Sequence, residues 1–404
     1  MYDVIIAGGG MVGASLAVAL SPLNLRIALV EAFAFNSGHS QPAYDDRSVA
    51  LSYGSGLIYQ ELGLWSTLQD HAEPIKTIHV SDKGFFGASR LHAKQEKVPA
   101  LGYVIESRIL GGSLYAALQA SNVEVMAPAK VLQAEQAITG SDDINSTGSV
   151  HIRLDNNGEK QSLDTRLLIV ADGADSPLRR QLGIDTHEYH YQQSAIIANV
   201  TTAKPHNNVA YERFTRSGPL ALLPLSRNRY SLVWTRRADE TEATLQLGDT
   251  EFLQQLQSAF GYRQGRFIKT GRRSTYPLKL VKSQQENRGR AVVIGNASHT
   301  LHPVAGQGLN LALRDVAVMA ELLRKAVNSG ADIGSADLLD EYTRLRATDY
   351  QRVVNYTDGL VKLFSSDIPG LGHLRAGGLL AVDRIEALRK QLAKQSMGLR
   401  YKRA

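Results

Sequence analysis

Residues 2–13, Tyr2-Asp3-Val4-Ile5-Ile6-Ala7-Gly8-Gly9-Gly10-Met11-Val12-Gly13, decide the fold. The apolar run Tyr2–Ala7 reads as a buried strand, and Met11–Ser21 continues it with the periodicity of a helix of small and apolar residues. Between them stands G-x-G-x-x-G. Gly8 permits a tight turn, Gly10 lets backbone approach a pyrophosphate, and Gly13 lets the helix pack against the strand; the positive end of the helix dipole then holds the phosphates. Arg26–Val30 reads as a second strand, and Glu31 follows 18 residues after Gly13, placed to accept hydrogen bonds from a ribose. Strand, helix and strand imply a parallel sheet with a right-handed crossover. The acid favours an adenosine ribose over a 2′-phosphate and leaves NAD and FAD both open.

Two further motifs lie downstream. Leu167–Ser176 (LLIVADGADS) is an apolar strand running into Asp172-Gly173, which puts a carboxylate at a sheet's carboxyl edge, where open α/β sheets bind ligands. Gly295–Asn310 (GNASHTLHPVAGQGLN) follows the strand Ala291–Ile294 and precedes a long helix. Gly306 and Gly308 flank Gln307, so backbone amides can come close to a planar ligand. A helix starting near Gly308 aims its dipole at negative charge, such as that on the pyrimidine edge of a reduced flavin.

The 404 residues suggest two or three units of roughly 150 residues each. The chain has no cysteine, which excludes disulfides, thiolate metal sites, thiol nucleophiles and cysteinyl flavin links. No basic segment precedes the first strand, so no export signal is expected, and no run of about 18 apolar residues is long enough to span a membrane. These features point to the cytoplasm. From Arg375 to Ala404 eight basic residues face two acidic ones, which matches the whole net charge of +6. Such a tail suits acidic headgroups or an acidic partner. It carries little aromatic interleaving, so nucleic acid is not expected. Histidines and acids show no metal-ligand spacing, so no metal is expected either.

With the three motifs in order, residues 2–364 resemble the class A flavoprotein monooxygenases, which share the para-hydroxybenzoate hydroxylase fold. The resemblance implies FAD as cofactor, NAD(P)H as co-substrate, and hydroxyl transfer to a phenol through a flavin C4a-hydroperoxide. It assigns Gly8, Gly10, Gly13 and Glu31 to the ADP half of FAD. Asp172 and Gly173 fall to FAD and NAD(P)H. Pro303, Gly306, Gln307 and Gly308 fall to the ribityl chain and isoalloxazine. The family's Asp after the strand is Asn296 here, an amide that can still bond ribityl hydroxyls. Asp45–Leu51 (DDRSVAL) is similar to the ubiquinone-biosynthesis hydroxylases, which places Arg47 near the flavin; Arg108 and Asn310 complete the expected cofactor set. Ile78–Lys83, Tyr211–Pro224 and Thr300–Pro303 are similar to the branch acting on 2-polyprenyl-6-methoxyphenol. A polyprenylated phenol and O₂ are then the expected substrates, the alternatives being another ring position of that pathway, a soluble aromatic, or a non-catalytic flavin-binding scaffold subunit. The basic C-terminus becomes the expected contact with the inner membrane's surface or a biosynthetic complex.

The fold expected is α/β, with Leu57–Leu68 and Ile109–Ala120 read as helices. A discontinuous Rossmann-like FAD-binding domain would comprise residues 1–74, 102–186 and 283–330. An antiparallel-sheet substrate domain, residues 75–101 and 187–282, would be inserted in it. A helical region, residues 331–404, would follow, with a glycine-rich break at 369–378 ahead of a final basic helix. His299 and His302 are the candidate catalytic side chains, able to polarise a phenol or steer the flavin loop. Arg216, Tyr211, Phe214 and Trp234 are candidates for the substrate cavity.

Overall fold

The computed structural model describes residues 1–35, 44–136, 148–301, 306–365 and 371–399. The elements that position the site are, in chain order, β1 (Tyr2–Ala7), α1 (Met11–Leu20), β2 (Ile27–Val30), β3 (Ser48–Ser52), α2 (Ser107–Gln119), β4 (Glu159–Val170), β5 (Thr186–Thr202), β6 (Val209–Thr215), β7 (Gly218–Leu225), β8 (Arg229–Arg237), β9 (Ala291–Val293), α3 (Gln307–Ser329), α4 (Ala336–Ser365), α5 (Leu371–Arg384) and α6 (Glu386–Ser396).

β9, β4, β1 and β2 lie side by side and parallel, with Val4 opposite Leu167 on one flank and Ile27 on the other. A parallel sheet covered on both faces demands unbroken apolar strands, which is why YDVIIA does not alternate with polar residues. Val4 and Ile6 face one core, with α1, α2 and α3, while Ile5 and Ala7 face the other.

A second, nine-stranded sheet contains β5, β8, β7 and β6 in that order, continued by strands Thr77–Asp82 and Ala88–His92. It is antiparallel except where β6 pairs in parallel with Thr77–Asp82. That pair joins two distant chain segments and needs no hairpin between them. The alternation of side chains divides the sheet's two jobs. Ile196, Ala198, Leu232 and Trp234 pack on the helix Asp249–Phe260. Their neighbours Ile197 and Val233 turn the other way and line a cavity.

Three stretches differ from the sequence reading. Helices Ala238–Leu245 and Asp249–Phe260 interrupt the residues expected as pure sheet. The second carries acids in its first turn and buries Phe252, Leu256 and Phe260 at helical spacing. The helix expected over 57–68 is two, Tyr53–Glu61 and Trp65–Leu68, parted at Gly63 with its φ of +73°. The glycine-rich segment from 371 onward is no break but the first half of α5. Gly372 serves close approach, since a Cβ there would meet the Phe85 ring at 1.9 Å.

Candidate active site

Three turns meet at the carboxyl edge of the parallel sheet. In the β1–α1 turn, a Cβ on Gly8 would lie 2.4 Å from the Ala171 carbonyl oxygen, and one on Gly13 would lie 1.9 Å from that of Gly8. Backbone packing requires both glycines. Gly10 differs, because a Cβ there meets nothing within 4 Å. It caps α1 with extended backbone and no side-chain bond, so the first-turn amides face open space, the setting that receives a phosphate. Glu31 Oε2 accepts from the Gly9 amide at 2.6 Å and Oε1 from the Phe33 amide at 2.9 Å. This anchored carboxylate borders a cavity of about 510 Å³ walled also by Gly10, Phe33, Phe35, Arg108 and Gly111.

Arg108 bonds Asp46 at 3.3 Å and Glu106 at 3.0 Å. The other Glu106 oxygen accepts from Arg229 at 2.6 Å, and Arg229 also donates to the Tyr44 carbonyl at 3.0 Å. This chain of charges ties segment 44–47 to the start of α2 and to β8 of the second sheet. Arg47 is exposed just ahead of β3. Its charge opposes the upward push that burial gives the Tyr276 phenol.

Asp172-Gly173 follows β4 after one residue, Ala171, with φ of +99° at the glycine. Burial raises the Asp172 carboxyl above the usual carboxylate range, against the pull of Ser176 and nearby backbone amides. Neither of its oxygens completes a hydrogen bond among the described residues. A buried carboxylate beside the Gly8 turn therefore has acceptor capacity that sugar or ribityl hydroxyls can satisfy.

In the third turn Asn296 is exposed at the sheet edge. His299 and Thr300 then pair with Lys282 and Val281, stitching this loop to the second sheet. His302 and Pro303 lie outside the described residues. Gly306, at φ +60°, caps the 23-residue α3, and a Cβ on Gly308 meets nothing within 4 Å. Gln307 is buried beneath. The Asn310 amide is taken up within the protein: Oδ1 accepts from the Ser52 amide and the Ser55 hydroxyl, both at 2.7 Å, while Nδ2 donates to the carbonyls of Ala50 and Gly306 at 3.0 and 2.6 Å. Its side chain thus holds the start of α3 against β3 and leaves no hydrogen-bonding position over for a ligand.

His299 borders none of the cavities described here. Its Nε2 lies 2.9 Å from Asp315, which also bonds Arg346 at 2.7 Å. Arg346 bonds Asp349 at 2.7 Å, and Asp349 bonds Arg314 at 2.9 Å. Burial works against ionising Asp315, but the charges of Arg346 and His299 overcome it and hold the carboxyl at about 2. The sequence reading missed this buried network. Its signals were Arg314-Asp315 inside an apolar helix and the i, i+3 pair Arg346 and Asp349.

Between the start of α3 and the second sheet lies a cavity of about 230 Å³, bordered by Gly306 and Asn310. Ile197, Leu223, Val233 and Tyr276 are among its walls. Of the expected substrate-facing residues, Tyr211 lines it, Phe214 lies further along β6, Trp234 is buried against Phe252, and Arg216 is exposed. Leu392 and Ser396 of α6 complete it, a contribution from the C-terminus that local sequence patterns do not signal.

The FAD binding domain family model matches residues 1–357. The ubiquinone hydroxylase UbiL of Rhodospirillum rubrum is 34% identical over 98% of this chain and 89% of its own. The mitochondrial ubiquinone biosynthesis monooxygenase COQ6 of Homo sapiens is 29% identical, over 97% of this chain and 92% of its own. The p-nitrophenol 4-monooxygenase PnpA from Pseudomonas putida superposes with a TM-score of 0.80 at 17% identity, covering 100% of this chain and 99% of that one, which shows a shared fold.

Proposed function

The chain belongs to the FAD-binding-domain family of flavoprotein monooxygenases, and from that premise we propose that it hydroxylates the aromatic ring of a polyprenylated phenol, 2-polyprenyl-6-methoxyphenol, in ubiquinone biosynthesis. The observation that carries this reading is the apolar cavity ending at Gly306 and Asn310, where the flavin ring would lie against the start of α3. The names of the relatives from Rhodospirillum rubrum and Homo sapiens support the pathway.

Bound FAD, reduced by NAD(P)H, would supply activated oxygen for transfer to the ring. The protein's own residues do the rest. Gly10 and the first turn of α1 hold the pyrophosphate, Glu31 the adenosine ribose, and Asp172 and Asn296 the hydroxyls between ribose and ring. Gly306 and Gly308 bring backbone amides to the ring, and Asn310 fixes that loop on β3. The apolar walls orient the phenol and exclude water. His299 serves as a positioning residue, fixed to Asp315 beneath the loop.

A soluble aromatic substrate would call for a more polar cavity, so the apolar walls favour the lipid-like phenol. No described helix is long and apolar enough to cross a membrane, so the proposed meeting with a bilayer-resident substrate is peripheral. Exposed Leu374 of α5, Ile385 between the two helices and Leu388 of α6, together with exposed Arg384 and Lys394, are the surface for it. Mass spectrometry of quinone intermediates in cells lacking the protein tests the reaction. Accumulation of 2-polyprenyl-6-methoxyphenol is expected; a different accumulated phenol would move the reaction to another ring position, and normal quinone levels would overturn it.

A further inference from the structure

A second cavity, of about 350 Å³, lies beside the first. Val80, Glu212, Tyr356 and Leu392 line both, so the two cavities adjoin at these four side chains. Beyond it the walls are almost wholly apolar, built from Leu360 and Phe364 of α4, Leu371 and Leu379 of α5, and Phe214. The two charged groups there are already engaged: Arg375 bonds Asp82 at 2.9 Å, and Glu212 interacts within the protein. The outer rim carries Leu363 and Leu374, which are 42% and 73% exposed. One side of this double cavity is therefore the start of α3, and the other is an apolar mouth between α4 and α5.

We propose that the second cavity is the binding site for the isoprenoid tail of the substrate, with the phenol ring in the first. This rests on the functional reading above. The first cavity alone falls below the ~300–1,000 Å³ usual for small-molecule pockets, whereas the two joined fall within it. The leucines, valines and phenylalanines that make up most of the second cavity's lining match a hydrocarbon. The exposed leucines at the mouth let a tail longer than the cavity run out into lipid without meeting water.

Gly378 lines only the second cavity, and a Cβ there meets nothing within 4 Å. It lies inside α5, where any residue but proline is a better helix former than glycine, so Gly378→Trp fills the cavity without a clash at its own Cβ. The holoenzyme is assayed with NAD(P)H on two 6-methoxyphenols, one bearing a single isoprene unit and one bearing four. Gly378→Trp is expected to raise KM for the four-unit phenol at least tenfold and to leave KM for the one-unit phenol within twofold. Gly378→Ala is expected to match wild type on both. Equal effects of Gly378→Trp on the two phenols, or none on the longer one, would overturn the tail site while wild-type turnover upheld the reaction. Failure of the wild type to hydroxylate either phenol would overturn the reaction and the tail site with it.

Discussion

Gly10 and Gly13 stand three residues apart and serve different masters. Gly13 is required by the fold, since its Cβ would meet the Gly8 carbonyl oxygen at 1.9 Å, whereas a Cβ on Gly10 would meet nothing within 4 Å, so the proposed phosphate contact is the one reason for a glycine there. Gly13→Ala gains up to ~1 kcal/mol of helix propensity, but the clash costs about 1–3 kcal/mol or more, so it should melt below wild type even without FAD. Gly10→Ala should melt with the FAD-free wild type and bind FAD at least ~10-fold more weakly, about 1.4 kcal/mol. Thermal melts and FAD titrations separate the two; a Gly10→Ala protein with wild-type FAD affinity would contradict the phosphate role. Glu286 offers a pH signature. Burial and the neighbouring Asp315 charge raise its carboxyl to about 7, against the pull of His299 and Arg346. Its unfolded value is ~4.3. Between those values the folded state binds the extra proton, so stability falls as pH rises from ~4.3 to about 7. Glu286→Gln should flatten that fall and stabilise the protein above pH 7, as read by urea midpoints at pH 5 and pH 8. An unchanged slope would show that Glu286 does not set it.

At the scale of elements, what could be read from sequence was what is local. β1, α1 and β2 follow from one apolar run, one glycine spacing and one acid, and the structure has them within one residue of the expected bounds. The C-terminal helices were harder to read, because their order comes from distant partners. Leu371–Gly378 looks like a break by composition, yet it is helical where Phe85 packs onto Gly372 and the backbone of Ala376 closes on Gly87. The Met397 carbonyl accepts from the Gly54 amide at 2.8 Å, so residues after α6 are tied to the start of a helix in the first domain. The tail's charge was also only partly available for an outside partner, since Arg375 is spent on Asp82 and Lys390 bonds Glu386. The Arg375–Asp82 pair is buried on both sides. Breaking it from one side leaves a lone buried charge, at about 3–5 kcal/mol, while replacing both partners by neutral groups is often close to neutral. Arg375→Met should therefore destabilise strongly, and Asp82→Asn with Arg375→Met should recover most of the loss. A double variant no more stable than Arg375→Met would show that α5 is held by something other than this pair.

Across the whole molecule the segment between β9 and α3, where the flavin is proposed to sit, joins the parallel sheet to the second sheet. It leaves the parallel sheet at β9, pairs through His299 and Thr300 with Lys282 and Val281 of the second sheet, and returns to the first domain as α3. Asn310 fastens the same loop to β3, and Asp315 fastens it to α4 through Arg346. A ligand seated on Gly306 and Gly308 therefore acts on a segment that both sheets share. FAD at a hundredfold excess over its Kd stabilises the folded state by ~2.7 kcal/mol, and the gain should appear where opening of the joint exposes backbone, not uniformly. Hydrogen exchange measured with and without FAD should show slower exchange at the β1–α1 turn, at Thr300 and at its partner Val281. Amides of β7 and β8, which pair with each other at the centre of the second sheet, should change little. If protection instead rose only in the first domain, the short pairing at Thr300 would carry no coupling, and FAD would leave the substrate cavity's far wall unaffected.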